Sequence, residues 1–498
     1  MPDSTKINGT EREEYAAFLE NYPDYRRTAA LDDLRASDYR RLDDQQHTYL
    51  DYTGAGLHGA SQVQEHSDLL NSRILGNPHS GNLSSSAATS LVEKTRQHVL
   101  DYFKAPRSEY TAVFTANATG ALKHVGECYP FAKGSRLLLT ADNHNSVNGI
   151  REFASARGAS IDYVPLTVPD LRIDMNRLEA LLGSVEPGRP SLFAFPAQSN
   201  FSGVRHSLEL IRKAQDKGWD VLLDAAAFVP TNRLDLEAVR PDFVSISFYK
   251  MFGYPTGVGC LLARTAALAK LRRPWFAGGT VNFATVQGRT HILASGEAGF
   301  EDGTLNFLSI PAVGVGLRHI EKIGIDSIHA RVNCLTGWLL EKLLALQHSN
   351  GRHMVRIYGP ATTLLRGGSL TMNFYDPDGH LLDYRRIEEL ASDQRISLRT
   401  GCFCNPGAGE SAEGLTSDDM RAAAAEPAGM TLPRFLQFMQ HRGGKSAGAI
   451  RASLGIVSNF QDAHRFFNFA ADFRDQTRLT MGEVSFDVDS CRVIRDGS

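Results

Sequence analysis

Between Thr111 and Ala263 the sequence alternates short apolar runs with segments whose apolar residues recur at helical spacing. The runs are "TAVFTA", "SRLLLTA", "ASIDYVPL", "PSLFAFPA", "DVLLDAAAF", "FVSISF" and "VGCLLA", and stretches such as 171–184 and 206–218 lie between them. Runs this short and this apolar fit strands buried on both faces, and their alternation with helices predicts an α/β fold with a mainly parallel sheet covered by helices. Ligands of such sheets collect at the carboxyl ends of the strands. The residues just after each run therefore matter most: Asn117, Ala118 and Thr119, then His144, Asn200, Asp224 and Lys250.

Past residue 310 the texture changes. "IPAVGVGLRHIEKIG" and "IHARVNCLTGWLLEKLLALQ" read as long amphipathic helices, and "LTMNFYD" and "CRVIRDG" as isolated strands of an α+β unit. With 498 residues the chain exceeds one ordinary core, so more than one domain is expected. The expected division is an N-terminal segment, 1–60, packing with the small domain, a large domain over 61–315, and a small C-terminal domain over 316–498. Residues 405–447, rich in Gly, Ala and Ser, read as a long loop insertion able to overhang the site.

A net charge of −3 without a basic block gives nucleic acid or a membrane surface no electrostatic footing. The polar N-terminus lacks the apolar core of a signal peptide, and no stretch reaches the ~18 apolar residues of a membrane span. Six scattered cysteines (128, 260, 334, 402, 404, 491) suit a reduced, cytoplasmic chain. The one close pair, Cys402 and Cys404, is too tight for a zinc knuckle, so no metal is expected.

"SISFYKMFGYPTGVGC" sets Lys250 directly after an apolar run and before a glycine-rich turn. Lysine is rarely buried without a partner or a task. Asp224 ends "VLLD" one connection earlier, so a carboxylate and an amine can grip one planar cofactor from two sides. Pyridoxal phosphate requires this pair: a lysine for the Schiff base and an acid beside the pyridinium nitrogen. "FTANATGALKHV" offers a phosphate cup, with free N–H groups at a helix start and the Thr119 hydroxyl as donors. Ser247 can reach the same phosphate, His144 can stack on the ring, and Gly253, Gly257 and Gly259 are read as making room for the cofactor. Taken singly, Asp224 also suits a helix cap, Thr119 an N-cap, and His144 a satisfied structural histidine.

These stretches, with "YLDYTGAG", "GNPHSGNLSSS", "DNHNSV", "FEDGTLNF", "RTGCFCNPGA" and "IRASLG", resemble class V, fold-type I pyridoxal-phosphate enzymes over residues 48–455. The likeness is stronger still to the cysteine desulfurase domain of molybdenum cofactor sulfurases. It implies a large domain with a seven-stranded sheet plus a smaller α+β domain. By position it implies Lys250 as the Schiff-base residue, Asp224 on the pyridine nitrogen and His144 on the ring. Ala118, Thr119, Ser247 and Tyr249 would surround the phosphate, Tyr249 standing where most desulfurases have histidine. Asn200 would lie near the ring oxygen and the substrate. Thr304 would reach the phosphate held by a second subunit, implying a homodimer. Arg451 would clamp the substrate carboxylate, for which its planar fork is suited, with Arg399 at the mouth.

The resemblance further implies a persulfide-forming cysteine on a mobile loop, Cys404, with Cys402 as the competing candidate. The expected activity is removal of sulfur from L-cysteine, giving alanine and an enzyme persulfide for transfer to an acceptor protein or small molecule. Three departures stand beside it. Ala227 replaces a glutamine common in desulfurases, and Gly409-Glu410 stand where a further cysteine is usual. The sequence also ends at Ser498, without the C-terminal domain that binds the molybdenum cofactor, so another acceptor is expected. The alternative reaction is a C–S lyase, another β- or γ-elimination, or an aminotransferase-like step on a specialised amino acid. A silent homologue serving as a sulfur-relay scaffold is a third reading, opposed by the intact Lys250, Asp224 and Arg451.

Overall fold

All seven apolar runs become strands of one sheet in the computed structural model, which describes residues 9–186, 188–425, 434–435, 438–439, 446 and 448–482. They are β1 (Tyr110–Thr115), β2 (Arg136–Thr140), β3 (Ser160–Val164), β4 (Leu192–Pro196), β5 (Asp220–Asp224), β6 (Phe243–Ser247) and β7 (Gly259–Arg264). The spatial order is β1-β7-β6-β5-β4-β2-β3, parallel throughout except for β7, which runs antiparallel to both neighbours. The sheet is thus the α/β, mainly parallel one expected.

Alternation along the strands sends successive side chains to opposite faces. Leu138, Phe193, Phe195, Leu223 and Ile246 join one core, whereas Leu137, Leu139, Leu192, Leu222 and Leu261 join the other. Each such leucine, taken out of water, stabilises the fold by about 1.5–3 kcal/mol. Because helices cover both faces, the central strands carry no polar alternation.

The helices that bear on the site are α1 (Leu83–Tyr102), α2 (Ala118–Cys128), α3 (Asn145–Asn148), α4 (Ile310–Ile323) and α5 (Ile325–Ala345). The last two are the amphipathic helices expected past residue 310, and Gly324 at φ +87° makes the break between them. Beyond them a four-stranded antiparallel sheet forms from β8 (Val355–Tyr358), β9 (Ser369–Phe374), β10 (Arg399–Gly401) and β11 (Ala449–Ser453), in the order β8-β9-β11-β10. It is the smaller α+β unit. "LTMNFYD" supplies β9, whereas "CRVIRDG" lies outside the described residues.

The N-terminal segment is tied to this C-terminal part. Thr48–Tyr49 pairs in parallel with Ile396–Ser397. Arg331, almost wholly buried, donates to the Thr28 hydroxyl and carbonyl and to Asp32, and Arg35 pairs with buried Asp462 at 2.6 Å. The stretch expected as a loop insertion is partly helical: α6 (Pro406–Glu413) and α7 (Ser417–Ala424). Pro406 at the first turn after an Asn405 cap is a helix start that glycine content obscured. Among the described residues no helix is long and apolar enough to cross a membrane.

Burial pushes His144, His319 and His329 below the usual imidazole value of 6.5. Their folded forms then bind fewer protons than the unfolded chain below that pH, so acid favours unfolding. Asp242, Glu301, Glu410, Glu413 and Asp462, whose carboxyls burial holds above their usual range, pull the other way. The melting temperature of a His319→Gln variant should therefore fall less than the parent's as pH drops from about 7.5 to about 5.5. A melting series over that range checks it.

Candidate functional site

At the carboxyl ends of β4, β5 and β6 lies a cavity of about 160 Å³. Asn117, Ala118, Thr119, His144, Asn200, Asp224, Ser247, Tyr249 and Lys250 all line it. Residues separated by more than a hundred positions thus meet because parallel strands deliver their ends to one edge.

The cup forms at the start of α2. Asn117, not Thr119, is the cap: its side chain accepts from the Gly120 N–H at 3.0 Å. Thr119 Oγ1 lies 2.8 Å from Ser146 Oγ, and the Ala118 N–H donates to Ser247 Oγ at 2.9 Å. The Ser247 hydroxyl keeps its own proton for a ligand, and the dipole of this three-turn helix favours an anion there. Two of the glycines after Lys250, Gly253 and Gly259, stand where other backbone comes close. A Cβ on Gly259 would sit 2.6 Å from Asn117, and one on Gly253, at φ +75°, would sit 2.3 Å from the His58 nitrogen.

Asp224 ends β5 nearly buried. Its Oδ1 accepts from the Ser245 hydroxyl at 2.9 Å and the Ala226 N–H at 3.1 Å. No described group donates to Oδ2, so half of a fixed carboxylate faces the cavity. His144 caps α3, its Nδ1 accepting from the Ser146 N–H at 3.1 Å. That bond fixes the neutral tautomer with its proton on Nε2, in line with the lowered pKa that burial causes against the pull of Asp224. Lys250 sits in the short helical turn after β6. Desolvation lowers its pKa, only partly offset by Asp224, which raises the share of neutral, nucleophilic amine. No described residue accepts a hydrogen bond from its Nζ.

Beside the cavity, Asp51 gathers two arginines. Arg399 donates to Oδ2 through Nε and Nη2 at 3.0 and 2.6 Å, and Arg451 donates to Oδ1 at 3.0 Å. Arg451 also donates to the Asn200 carbonyl at 2.9 Å and lies 4.7 Å from the Phe403 ring centre. Its Nε is buried without a partner. Desolvation lowers its pKa to about 10, which leaves it charged at neutral pH.

Residues 402–405 form a turn that is held at several points. The Phe403 carbonyl accepts from Asn200 Nδ2 at 2.8 Å, the Cys404 carbonyl from the Asn145 N–H at 2.7 Å, and the Cys402 carbonyl from the Asn405 N–H at 3.0 Å. Buried Asn405 donates to Asn200 Oδ1 and to the Asp142 carbonyl. A Cβ on Gly407 would lie 2.1 Å from the Ala141 carbonyl, so glycine alone lets α6 dock against the end of β2. Phe403 and Cys404 both adopt φ near +55°, a left-handed conformation costing on the order of 1–2 kcal/mol per residue. Cys404 is exposed while Cys402 is partly buried.

Thr304 lies apart from the cavity, exposed, accepting from Asn77 Nδ2 at 3.3 Å. Asp51, Ser146, Gln198 and Asn405 were not singled out from sequence as site residues. Asn405 alone carried a usable signal, an asparagine ahead of a proline at a helix start.

The family model for class-V aminotransferases matches residues 48–466. The molybdenum cofactor sulfurase of Solanum lycopersicum is 36% identical, the match covering 92% of this chain and 59% of that protein. The chain therefore spans less than two thirds of that relative's length. Two solved structures share the fold. An apo cysteine desulfurase from Thermococcus onnurineus NA1 superposes with a TM-score of 0.73 at 22% identity, covering 89% of this chain and 97% of that one. A cystine C–S lyase in complex with its product cysteine persulfide gives 0.64 at 18% identity, covering 86% and 98%.

Proposed function

The chain belongs to the class-V aminotransferase family, and from that premise we propose that it is a cysteine desulfurase-like sulfurtransferase. The cofactor of this class is pyridoxal 5′-phosphate. The residues fit it: a donor-rich cup at the start of α2, a half-free carboxylate on Asp224, an unpartnered amine on Lys250 and a neutral His144. When bound, the cofactor supplies an electron sink for the pair released at the substrate's α-carbon.

The chain's own groups do the rest. Lys250 Nζ anchors the cofactor and moves the α-proton. Arg451 holds the α-carboxylate, with Asn200 and Arg399 beside it. His144 covers the ring, and Asp224 keeps the ring nitrogen protonated. Cys404 Sγ, as thiolate, takes the substrate sulfur. A C–S bond breaks, an S–S bond forms, and a proton replaces sulfur on the β-carbon, so cysteine plus a thiol gives alanine plus a persulfide. Cys402 is the competing nucleophile.

The observation that carries this reading is the anchoring of the Cys404 turn to Asn200 and Asn145, which brings a thiol-bearing turn to the cavity. Incubating the protein with L-cysteine should yield alanine and a persulfide mapped by mass spectrometry to Cys404. A protein that binds the cofactor yet forms neither product overturns it.

One observation favours C–S elimination as the second reading: a turn tied at several points delivers sulfur to a distant acceptor less readily than a free loop. Turnover of a larger amino acid by a Cys402/Cys404 double variant would support it. The proposed assembly is a homodimer in a reducing, cytoplasmic setting. Supporting the dimer, the hairpin Val281–Ala284/His291–Leu293 exposes Phe283, Val286 and Ile292, and Thr304 lies on the exposed surface. Supporting the setting, Cys128, Cys260, Cys334, Cys402 and Cys404 are all free thiols.

A further inference from the structure

Asp51 is the charged group at the site for which the chemistry above has no use. It is nearly buried, and its two oxygens are divided between two guanidiniums, Oδ2 taking Arg399 and Oδ1 taking Arg451. Two positive groups and one negative group leave a net charge of +1. Arg451 cannot swing away to find a different balance. One of its nitrogens is held by the Asn200 carbonyl, its plane lies against Phe403, and its side chain is only 4% exposed. Its Nε–H is buried without a partner.

From this geometry we infer that Asp51 determines substrate specificity by setting the charge of the carboxylate clamp. This rests on the reading of Arg451 as the residue that holds the α-carboxylate. With Asp51 in place, one monoanionic carboxylate neutralises the cluster. A second negative charge on the substrate, a sulfinate or a second carboxylate, finds no uncompensated cation and meets Asp51 itself. The clamp therefore selects amino acids with a neutral side chain such as a thiol over dianionic ones of the same length. Like charges a few ångströms apart near a protein surface repel strongly enough for about tenfold discrimination.

The test uses the cofactor-loaded protein and two independent readouts. The first is the ratio of kcat/KM for L-cysteine over L-cysteine sulfinate. The second is equilibrium binding of 3-mercaptopropionate and of succinate, followed by the cofactor's absorbance, which needs no turnover. Asp51→Asn keeps an oxygen for Arg451 and removes the charge. It should lower the preference for the singly charged ligand about tenfold in both readouts. Asp51→Glu, which keeps the charge, should retain that preference.

If Asp51→Asn weakens both members of each pair equally, Asp51 is only a strut for the arginines and the inference falls. If Asp51→Asn does not hold the cofactor, the parent decides: selection by charge shrinks as salt is raised from about 0.05 M to about 1 M, and selection by shape does not. A parent that fails to desulfurate L-cysteine sinks the functional reading alone, because the ligand titration still reports on Asp51.

Discussion

Replacing Lys250 with alanine should give a folded, colourless protein whose turnover is lower by at least about a thousandfold, the scale set by losing a proton-transferring group. The Schiff-base absorbance near ~420 nm should be absent whatever the excess of cofactor. The fold should not suffer. The amine at 250 pays a desolvation penalty that Asp224 offsets only in part, and no described residue accepts a hydrogen bond from it. Removing it relieves that penalty, so the cofactor-free variant should melt no lower than the cofactor-free parent. A position where truncation stabilises the chain while abolishing its colour is one kept for chemistry rather than packing. Retention of the absorbance band in Lys250→Ala would overturn the assignment.

Cys404→Ser should form no persulfide, and alanine release from L-cysteine should drop by about a thousandfold or more, because the hydroxyl is a far weaker nucleophile toward sulfur. The cofactor band and its response to added L-cysteine should persist, since the Cys404 side chain is not among those lining the cavity. The contacts of its turn run through backbone carbonyls and Asn405, which serine leaves intact. Cys402→Ser is the control. Its partly buried thiol lies two residues away, and losing it should change the rate by no more than a few-fold. Alanine release by Cys404→Ser at the parental rate sinks the assignment.

The sheet, and the gathering of its strand-end residues around one cavity, could be read from the sequence because both rest on local signals. Apolar runs such as "PSLFAFP" announce strands buried on two faces, and a parallel sheet places whatever follows them at one edge. Lys250, Asp224 and the Asn117–Thr119 turn follow from that rule without any knowledge of long-range contacts. Asp51 does not. Its partners lie some 350 and 400 residues away, and nothing around an aspartate in "YLDYTG" distinguishes a clamp from a turn. The close backbone at Gly253 and Gly259 is hidden for a related reason. Their spacing does not say what approaches, and the structure identifies the backbone at His58 and Asn117. In the region read as a loop, abundant Gly and Ala hid two short helices whose caps, Asn405 and Thr416, were the better guide.

The stitching of the chain's beginning to its end has a consequence for synthesis on the ribosome. Asp51 and Arg451 are separated by 400 residues, and Leu50 pairs with Ser397 and Ser453 through backbone hydrogen bonds. At ~5–20 residues per second, the segment around Asp51 waits about 20–80 s for its partners to be translated. The strand ends proposed to hold the cofactor are complete by residue 264, long before the proposed arginine clamp exists. On the proposed assignment a nascent chain can therefore acquire its cofactor pocket well before it can grip an amino acid, and the N-terminal strand is the last piece to be sewn in.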